Sequence, residues 1–535
     1  MSITIRNLIL NIEEPIELIK AKSAKRLKLS ESDINKVKII RESVDARKRN
    51  NINFNYTINV DVQDEDKVLK KINDKDITKL KDDSDIEIKY GTIKLNSRPV
   101  IVGLGPSGLF AALKLARNGY KPIVIEQGQD VDKRTKTIED FWNGKSDLNL
   151  QSNVQFGEGG AGAFSDGKLT TRIKDPHCAF VIDELVKFGA PEETLYKSKP
   201  HIGTDILKSV VKNIREEIIK LGGEVRFNAK LQKIKIQNGK IKSIIVNKDE
   251  LKCDVLILAI GHSSRDTYQM LFDSDIQLEA KPFAIGTRIE HPQNFINENQ
   301  YGKYADNPRL GAADYKLTYQ SKTLNRGVYS FCMCPGGAVV AAASEKNRLV
   351  TNGMSYHSRS FKNANSALVV TVDKNDFEGT NPLSGMEFQR KYEEMAFKLG
   401  GGGYKAPVQL VGDFLNDRCS TKLGSVTPTY KPGYEFRQIK ECLPPYVTQG
   451  LKEGIQYFDN KIKGYAMNDA VLTAIETRTS APLRILRDQN LQCIGVSDLY
   501  PSGEGAGFAG GIISAAVDGI KVSEKIMRKF AKIND

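Results

Sequence analysis

Residues 99–128, PVIVGLGPSGLFAALKLARNGYKPIVIEQG, constrain the fold more than any other stretch of the chain. "PVIV" reads as a short buried strand, and Gly103, Gly105 and Gly108 follow as G-x-G-x-x-G. Leu109, Ala112, Leu113 and Leu115 then line a helix that ends near Gly119, before a second strand, "PIVIE", closes on Glu126. Each part has a physical task in holding a dinucleotide. Gly103 permits a tight turn, Gly105 lets the backbone approach a pyrophosphate, and Gly108 lets helix and strand come close. The helix start at Pro106 and Ser107 offers free N–H groups and a field that favours an anion. Glu126, with Gln127 beside it, is placed to accept hydrogen bonds from a ribose, and its charge disfavours a 2′-phosphate. FAD and NAD both satisfy this stretch taken alone.

A chain of 535 residues exceeds what one hydrophobic core serves, so two or three domains are expected. Its 40% hydrophobic and 27% charged residues are those of a soluble globular protein. No apolar run of about 18 residues indicates a membrane span. The start, MSITIRNLILNIEEPIELIK, breaks its apolar residues with Asn11, Glu13 and Glu14 and lacks a secretory signal pattern. Seven scattered cysteines do not read as a disulfide framework, which points to a reducing, cytoplasmic setting.

Residues 1–95 differ in texture from the rest, being rich in Ile, Lys, Asp and Asn with one glycine, Gly91. Within "ESDINKVKIIRESVDARK" the spacing of Ile34, Val37, Ile40 and Val44 predicts a helix capped by Ser30 or Ser32, whereas "INFNYTINVDV" alternates as a strand. A small α+β domain over 1–95 is expected. Beyond it the pattern is α/β. "TDILKSVVKNIREEIIKL" predicts a helix with Ile206, Val210, Val211, Ile214 and Ile218 on one face, and Asn238-Gly239 predicts a tight hairpin. The order of textures suggests a nucleotide domain begun by 99–290, interrupted by an inserted α+β substrate domain at 291–440, and completed by 441–535. The fold class expected is therefore α/β, with a Rossmann-like sheet as its centre.

The far end of the chain separates the two nucleotides. "DLYPSGEGAGFAGGIISAAVDGIKVSEKI", from Asp498, is a second glycine-rich bend leading into a helix of small residues. Such a bend brings Glu504 to a ribityl hydroxyl and aims the helix start at Gly511 and Ile512 toward a flavin; bound NAD needs no element so remote. With this stretch, the early fingerprint, "DVLILAIGHSSRD", "VQFGEGGAGAFSDGKL" and "ETRTSAP", the chain resembles FAD-dependent oxidoreductases of the two-dinucleotide-binding-domain superfamily. It resembles in particular the little-characterised FAD-dependent dehydrogenases of that group. The resemblance spans about residues 99–535. It implies noncovalent FAD, with Glu126 on the adenosine ribose, Arg134 beside the cofactor and the backbone at Leu231 against the adenine. It further implies that Gly261 passes near the nucleotide and that Gly503, Glu504 and Gly505 hold the ribityl–phosphate part. His262 stands in "AIGHSS" where many relatives carry threonine before the glycine, and either faces the flavin or closes its own turn.

"FGEGGAGAFSDGKL" is the densest glycine run. Gly159, Gly160, Gly162, Ser165 and Gly167 allow its N–H groups to press on a phosphate or a flavin ring, anchored by Phe156, Phe164 and Leu169. Lys168 is a candidate for positive charge near the pyrimidine end of the flavin. Cys332 and Cys334 share one face of a strand by their spacing, either as a reactive thiol pair or, preferably, as small buried residues. Arg478 suits a carboxylate or phosphate, or else pairs with Glu476; His357 is a further pocket candidate. "KLGGGGYKAPVQ" is an ordinary loop before it is a lid. No cluster has zinc-ligand spacing, so no metal is expected.

No second G-x-G-x-x-G with a terminal acid follows residue 130, so a separate NADPH domain is not expected. Electrons then come from a visiting NAD(P)H, from a small-molecule substrate or from a protein donor. A rival reading makes 1–95 an RNA-binding module, because "ARKRNNINFNYT" sets basic residues beside aromatics. Against it, the net charge of +13 is interleaved with acids rather than massed, and nucleic acid is not the expected partner. Oligomeric state is not legible.

Overall fold

The computed structural model describes residues 2–80 and 88–533. Three sheets of different origin organise it.

The N-terminal unit is an antiparallel sheet in the order 34–45, 53–62, 2–11 and 77–79, with helices Leu18–Leu27 and Glu65–Leu69 on one face. The element order is β-α-β-β-α-β. The helix expected across Ile34 to Val44 is instead the strand Ile34–Asp45. Two register shifts, between Ile34 and Lys36 and between Ile39 and Arg41, break its alternation, so the apolar residues fall at a spacing that imitates a helix. Phe54 and Tyr56 are fully buried in the core of this unit, and the alternate positions Asn53, Asn55, Thr57 and Asn59 face outward. The aromatics on which an RNA-stacking surface would depend are therefore inside. The unit is fastened to the remainder by Glu42, whose N–H and C=O bond Tyr196 and Ser198 at 2.7 and 2.8 Å. Arg309 adds a cation stacked 4.4 Å over the Phe54 ring.

The second sheet is fully parallel, in the order 499–501, 256–258, 100–102, 123–125 and 224–226. Its strands are short, and all but the half-buried edge strand 224–226 are buried on both sides, as a sheet covered on both faces requires. The helix Pro106–Arg117 starts from the first of them, with Pro106 at its first turn where a missing N–H costs nothing. Helix Thr204–Lys220 packs beside it through the predicted apolar stripe; of the residues named for that stripe, Ile206 stays partly exposed. A three-stranded antiparallel sheet over 231–252 hangs from this unit, and Asn238 and Gly239 both adopt positive φ, 50° and 67°, at its hairpin.

The third sheet is mixed and seven-stranded, in the order 318–321, 326–334, 363–372, 283–292, 471–476, 406–410 and 434–436. It runs from Phe283 to Glu476 and so extends past both ends of the expected 291–440 insertion. Helices Ser384–Leu399 and Pro445–Asp459 supply its main cover. Among the described residues no helix is long and apolar enough to cross a membrane.

Two contacts tie these parts together. The C-terminal helix Ile512–Lys529 lies against Pro106–Arg117 so closely that a Cβ at Gly519 would stand 2.1 Å from the Ser107 carbonyl. Between the parallel and mixed sheets, Arg265 forms a forked pair with Glu393 at 2.6 and 2.8 Å, and Arg478 bonds the same carboxylate at 3.1 and 3.0 Å. Glu393 is wholly buried; burial opposes its charge, but the guanidiniums of Arg265 and Arg478 outweigh this and hold the carboxyl well below its ordinary range. Gly519→Ala should destabilise the protein by about 1–3 kcal/mol, seen as a lowered Tm in calorimetry. Glu393→Ala should cost more, about 3–5 kcal/mol, because two buried guanidiniums lose their shared partner.

Candidate functional site

The C-terminal ends of the parallel strands open into one cleft of about 380 Å³. Its walls come from Val102 and Gly103, from Glu126 and Gln127, from Ala259 to Ser264, and from Ser502 and Glu504, which are the residues following four neighbouring strands. A crevice outside the carboxyl ends of parallel strands is where open α/β sheets bind ligands.

The first glycine bend shapes the entrance. A Cβ at Gly108 would lie 1.9 Å from the Gly103 carbonyl, so only glycine lets the helix start this close to the strand. At Gly105 the nearest atom to an added Cβ is the Gly160 Cα at 3.7 Å, which leaves the backbone bare toward the cleft. Pro106 and Ser107 line it as well, and Ser107 Oγ meets Ser502 Oγ at 2.7 Å, joining the early bend to the late one. Glu126 is 5% exposed and accepts from the N–H groups of Leu104, Gly128 and Gly157 at 2.9, 2.9 and 3.0 Å. It therefore pins three loops together while lining the cleft.

The structure brings most of the sequence candidates to this one cavity. Gly160, Gly162, Ser165, Gly167 and Lys168 come from the glycine run, Leu231 from the antiparallel sheet, and Gly261 and His262 from the turn after 256–258. Glu504, Gly511 and Ile512 come from the late bend, and Arg478 from the mixed sheet. Gly108, Gly159, Gly503 and Gly505 stand behind the lining and support it through packing; Gly505, for one, sits where a Cβ would strike Gly261 at 2.6 Å.

Arg134 corrects the expectation placed on it. It is fully buried and donates to the carbonyls of Asn153, Val154, Gly157, Glu158 and Gly160, so it shapes the glycine run from behind rather than facing the cleft. His357 is likewise displaced: it stacks on His201 with ring centres 5.0 Å apart, outside the lining. Arg478 reaches the cleft, but its guanidinium is committed to Glu393 and to Ser344 at 2.6 Å, and the Glu476 pairing suggested by the sequence is not made. The loop after Leu399 simply joins a helix to the strand Ala406–Leu410.

The mixed sheet closes the far wall with Phe331, Cys332 and Glu476, and Asn352 joins them from the short two-stranded sheet of 338–341 and 351–354. A register shift between Phe331 and Cys334 and a φ of 44° at Cys332 break the regular alternation expected of the strand, yet the two thiols stay in hydrogen-bonding contact. Cys332 lines the cleft and Cys334 is fully buried. Lys168 bridges to this wall, bonding Asp166 at 2.6 Å and the Met333 carbonyl. Burial resists its charge, yet Asp166 prevails and holds the ammonium protonated. Glu476 was undervalued by the sequence. It is 3% exposed, burial pushes its carboxyl up to about 7, and Oε2 has no hydrogen-bond partner among the described residues. His262 both lines the cleft and bonds Ser263 Oγ through Nδ1 at 3.0 Å; burial drives its pKa down to about 3, so the ring is neutral.

Comparison with known proteins agrees with this geometry. Residues 97–270 match the family model described as pyridine nucleotide-disulphide oxidoreductase, and residues 282–479 match that of the FAD-dependent protein, C-terminal domain-like. Residues 2–61 match a domain of unknown function. An uncharacterized protein of Clostridium beijerinckii is 63% identical over 531 residues, covering 99% of each chain. A tRNA 5-methylaminomethyl-2-thiouridine biosynthesis bifunctional protein of Campylobacter concisus is 25% identical over 202 residues, 34% of this chain and 32% of its own length. Among solved structures, that of CtdE in complex with FAD matches at TM-score 0.29 and 12% identity, covering 80% of this chain and 82% of that one. Halogenase PltM in complex with ethyl mercury and mercury matches at TM-score 0.38 and 9% identity, covering 82% and 69%. The chain belongs to the FAD-dependent oxidoreductases, in the pyridine nucleotide-disulphide oxidoreductase family.

Proposed function

We propose that the cleft holds FAD noncovalently and that the protein oxidises or reduces a small molecule seated between the parallel sheet and the mixed sheet. The observation that carries this reading is the continuity of the cleft from Glu126, past both glycine bends, to the start of the helix at Ile512. Gly105, whose backbone is bare on the cleft side, and Gly261, Gly510 and Gly511, around which an added Cβ would meet nothing within 4 Å, leave room for a long nucleotide. The start of Pro106–Arg117 would hold the pyrophosphate, Glu126 the ribose and the Leu231 region the adenine. FAD, when bound, accepts or donates a hydride at N5 of its ring.

The chain's own groups do the remainder. Lys168 fixes a positive charge at the junction of the two sheets and orients the glycine run through Asp166. Glu476, whose carboxyl burial lifts to about 7 so that both its forms are present near neutral pH, can give or take a proton through Oε2. Phe331 gives the substrate space an apolar side. A nicotinamide would share that space as a visiting donor. All seven cysteines are free thiols, which fits a reducing cytoplasm.

The purified protein should carry flavin absorbance, with FAD released on denaturation. Gly105→Trp fills the approach to the pyrophosphate, and Glu126→Ala removes a carboxylate whose charged hydrogen bonds are each worth about 1.5–3 kcal/mol. Each variant should retain FAD at least about tenfold more weakly. Two fully yellow variants would remove the assignment. Anaerobic addition of NADH and NADPH should bleach the flavin; a flavin that neither reduces rules out direct nicotinamide use and leaves the substrate or a protein as donor.

A further inference from the structure

The far wall of the cleft contains a chemical arrangement that binding FAD does not require. Cys332 is brought to the surface of the cleft by an irregular turn of its strand, with φ at 44°. Non-glycine residues rarely adopt this conformation, and such strain collects at working sites. Around the thiol stand two cations and a second thiol. Lys168 bonds the neighbouring Met333 carbonyl, and Arg288 donates to the Cys332 carbonyl at 2.9 Å and lies 3.7 Å from Cys334 Sγ. Cys334 Sγ in turn donates to the Cys332 carbonyl at 3.3 Å.

The second observation is independent of the cysteine. Glu476, almost wholly buried, lines the same wall with Oε2 unbonded, and its Oε1 is 3.7 Å from Arg288 Nη1. It too stands at a register shift, where Gly286 pairs with Glu476 and Thr287 with Ala474. Arg288 thus sits between the backbone of the thiol and the acid.

We propose that Cys332 and Glu476 form a nucleophile–acid pair that adds to a carbon–carbon double bond conjugated to a carbonyl. The thiolate sulfur forms the new bond to the β-carbon, the π pair moves to the α-carbon, and that carbon takes the proton from Glu476. The negative charge passes from sulfur to the carboxylate, and no oxidant or reductant is consumed. Phe331 supplies an apolar wall for the alkene. The electrostatics support this division of labour. The Cys334 thiol, then Lys168 and Arg288, draw the Cys332 thiol below its ordinary range despite burial and Glu476, while burial and Cys334 keep Glu476 protonated against Arg288. This pair stands whether or not the cleft holds FAD.

The test is mass mapping of the full-length protein as purified, after brief exposure to iodoacetamide or to methyl vinyl ketone. At mildly acidic pH, Cys332 should be alkylated by iodoacetamide on the order of tenfold faster than the exposed Cys419. Methyl vinyl ketone should leave one adduct, on Cys332. Lys168→Met should move the pH profile of Cys332 alkylation to higher pH. Glu476→Gln should slow the vinyl ketone adduct while sparing the iodoacetamide reaction, which needs no proton donor; a Tm near that of the parent confirms its folding. Modification of Cys332 slower than Cys419, adducts spread over several cysteines, or equal slowing of both reagents in Glu476→Gln would overturn the proposal. A colourless protein with reactive Cys332 refutes only the flavin reading, and a yellow one with inert Cys332 refutes only this one.

Discussion

The contact between helices Pro106–Arg117 and Ile512–Lys529 is the constraint on which the site depends. These segments lie some four hundred residues apart, and nothing local holds them together. Gly519 lets one helix rest on the Ser107 carbonyl, and Ser523 Oγ reaches the Ala111 carbonyl at 3.2 Å one turn further on. Because the strand 499–501 must also pair with 256–258, the late bend has one place to go, beside the early one. The cleft is the space left when backbone meets backbone with few side chains between. Small residues at these crossings remove volume where a ligand of extended shape can lie, and helix starts aim their free N–H groups into it.

What was legible in the sequence follows from this. The fingerprint at 99–128 declares itself because turn, helix and strand are neighbours in the chain and each residue acts on the next few. The hairpin at Asn238-Gly239 and the stripe of Thr204–Lys220 are of the same kind. Arg134 was misplaced because its five carbonyl partners belong to a loop about twenty residues away whose path no spacing rule gives. Arg478 was assigned a neighbour at two residues' distance, whereas its true partner, Glu393, lies on another helix and already binds Arg265. Bulges caused the remaining errors. One extra residue reverses every later side chain, which turned the strand 34–45 into an apparent helix and left Cys332, but not Cys334, lining the cleft.

The buried charges divide into two kinds with different consequences. Glu393 is saturated by two guanidiniums, Thr477 Oγ1 at 2.7 Å and nothing is left over, so it acts as a fastener between sheets. By committing Arg478 to this carboxylate, the fold withholds it from Glu476, two residues away in the chain. Glu476 then faces Arg288 at 3.7 Å, too far for a hydrogen bond, and the low-polarity surroundings favour its neutral form. One acid is held ionised, and the other is lifted to about 7, where it can exchange a proton. The difference arises from the distance to an arginine rather than from composition.

The same economy explains why the mixed sheet, and not the nucleotide domain, carries the reactive groups. A regular strand alternates its side chains between the two faces, and its edge toward the cleft would present mainly backbone. The shifts at Phe331 to Cys334 and at Gly286 to Thr287 break that alternation at the point where strands 326–334 and 471–476 meet the glycine run. Each shift turns one polar side chain out of the sheet and into the cavity, Cys332 in the first case and Glu476 in the second. Lys168 crosses from the glycine run to the first of these places, where it bonds the Met333 carbonyl beside Cys332. Regular pairing elsewhere in the seven strands holds these two positions fixed, and a rigid frame is what a paired nucleophile and acid need in order to act on one bound molecule.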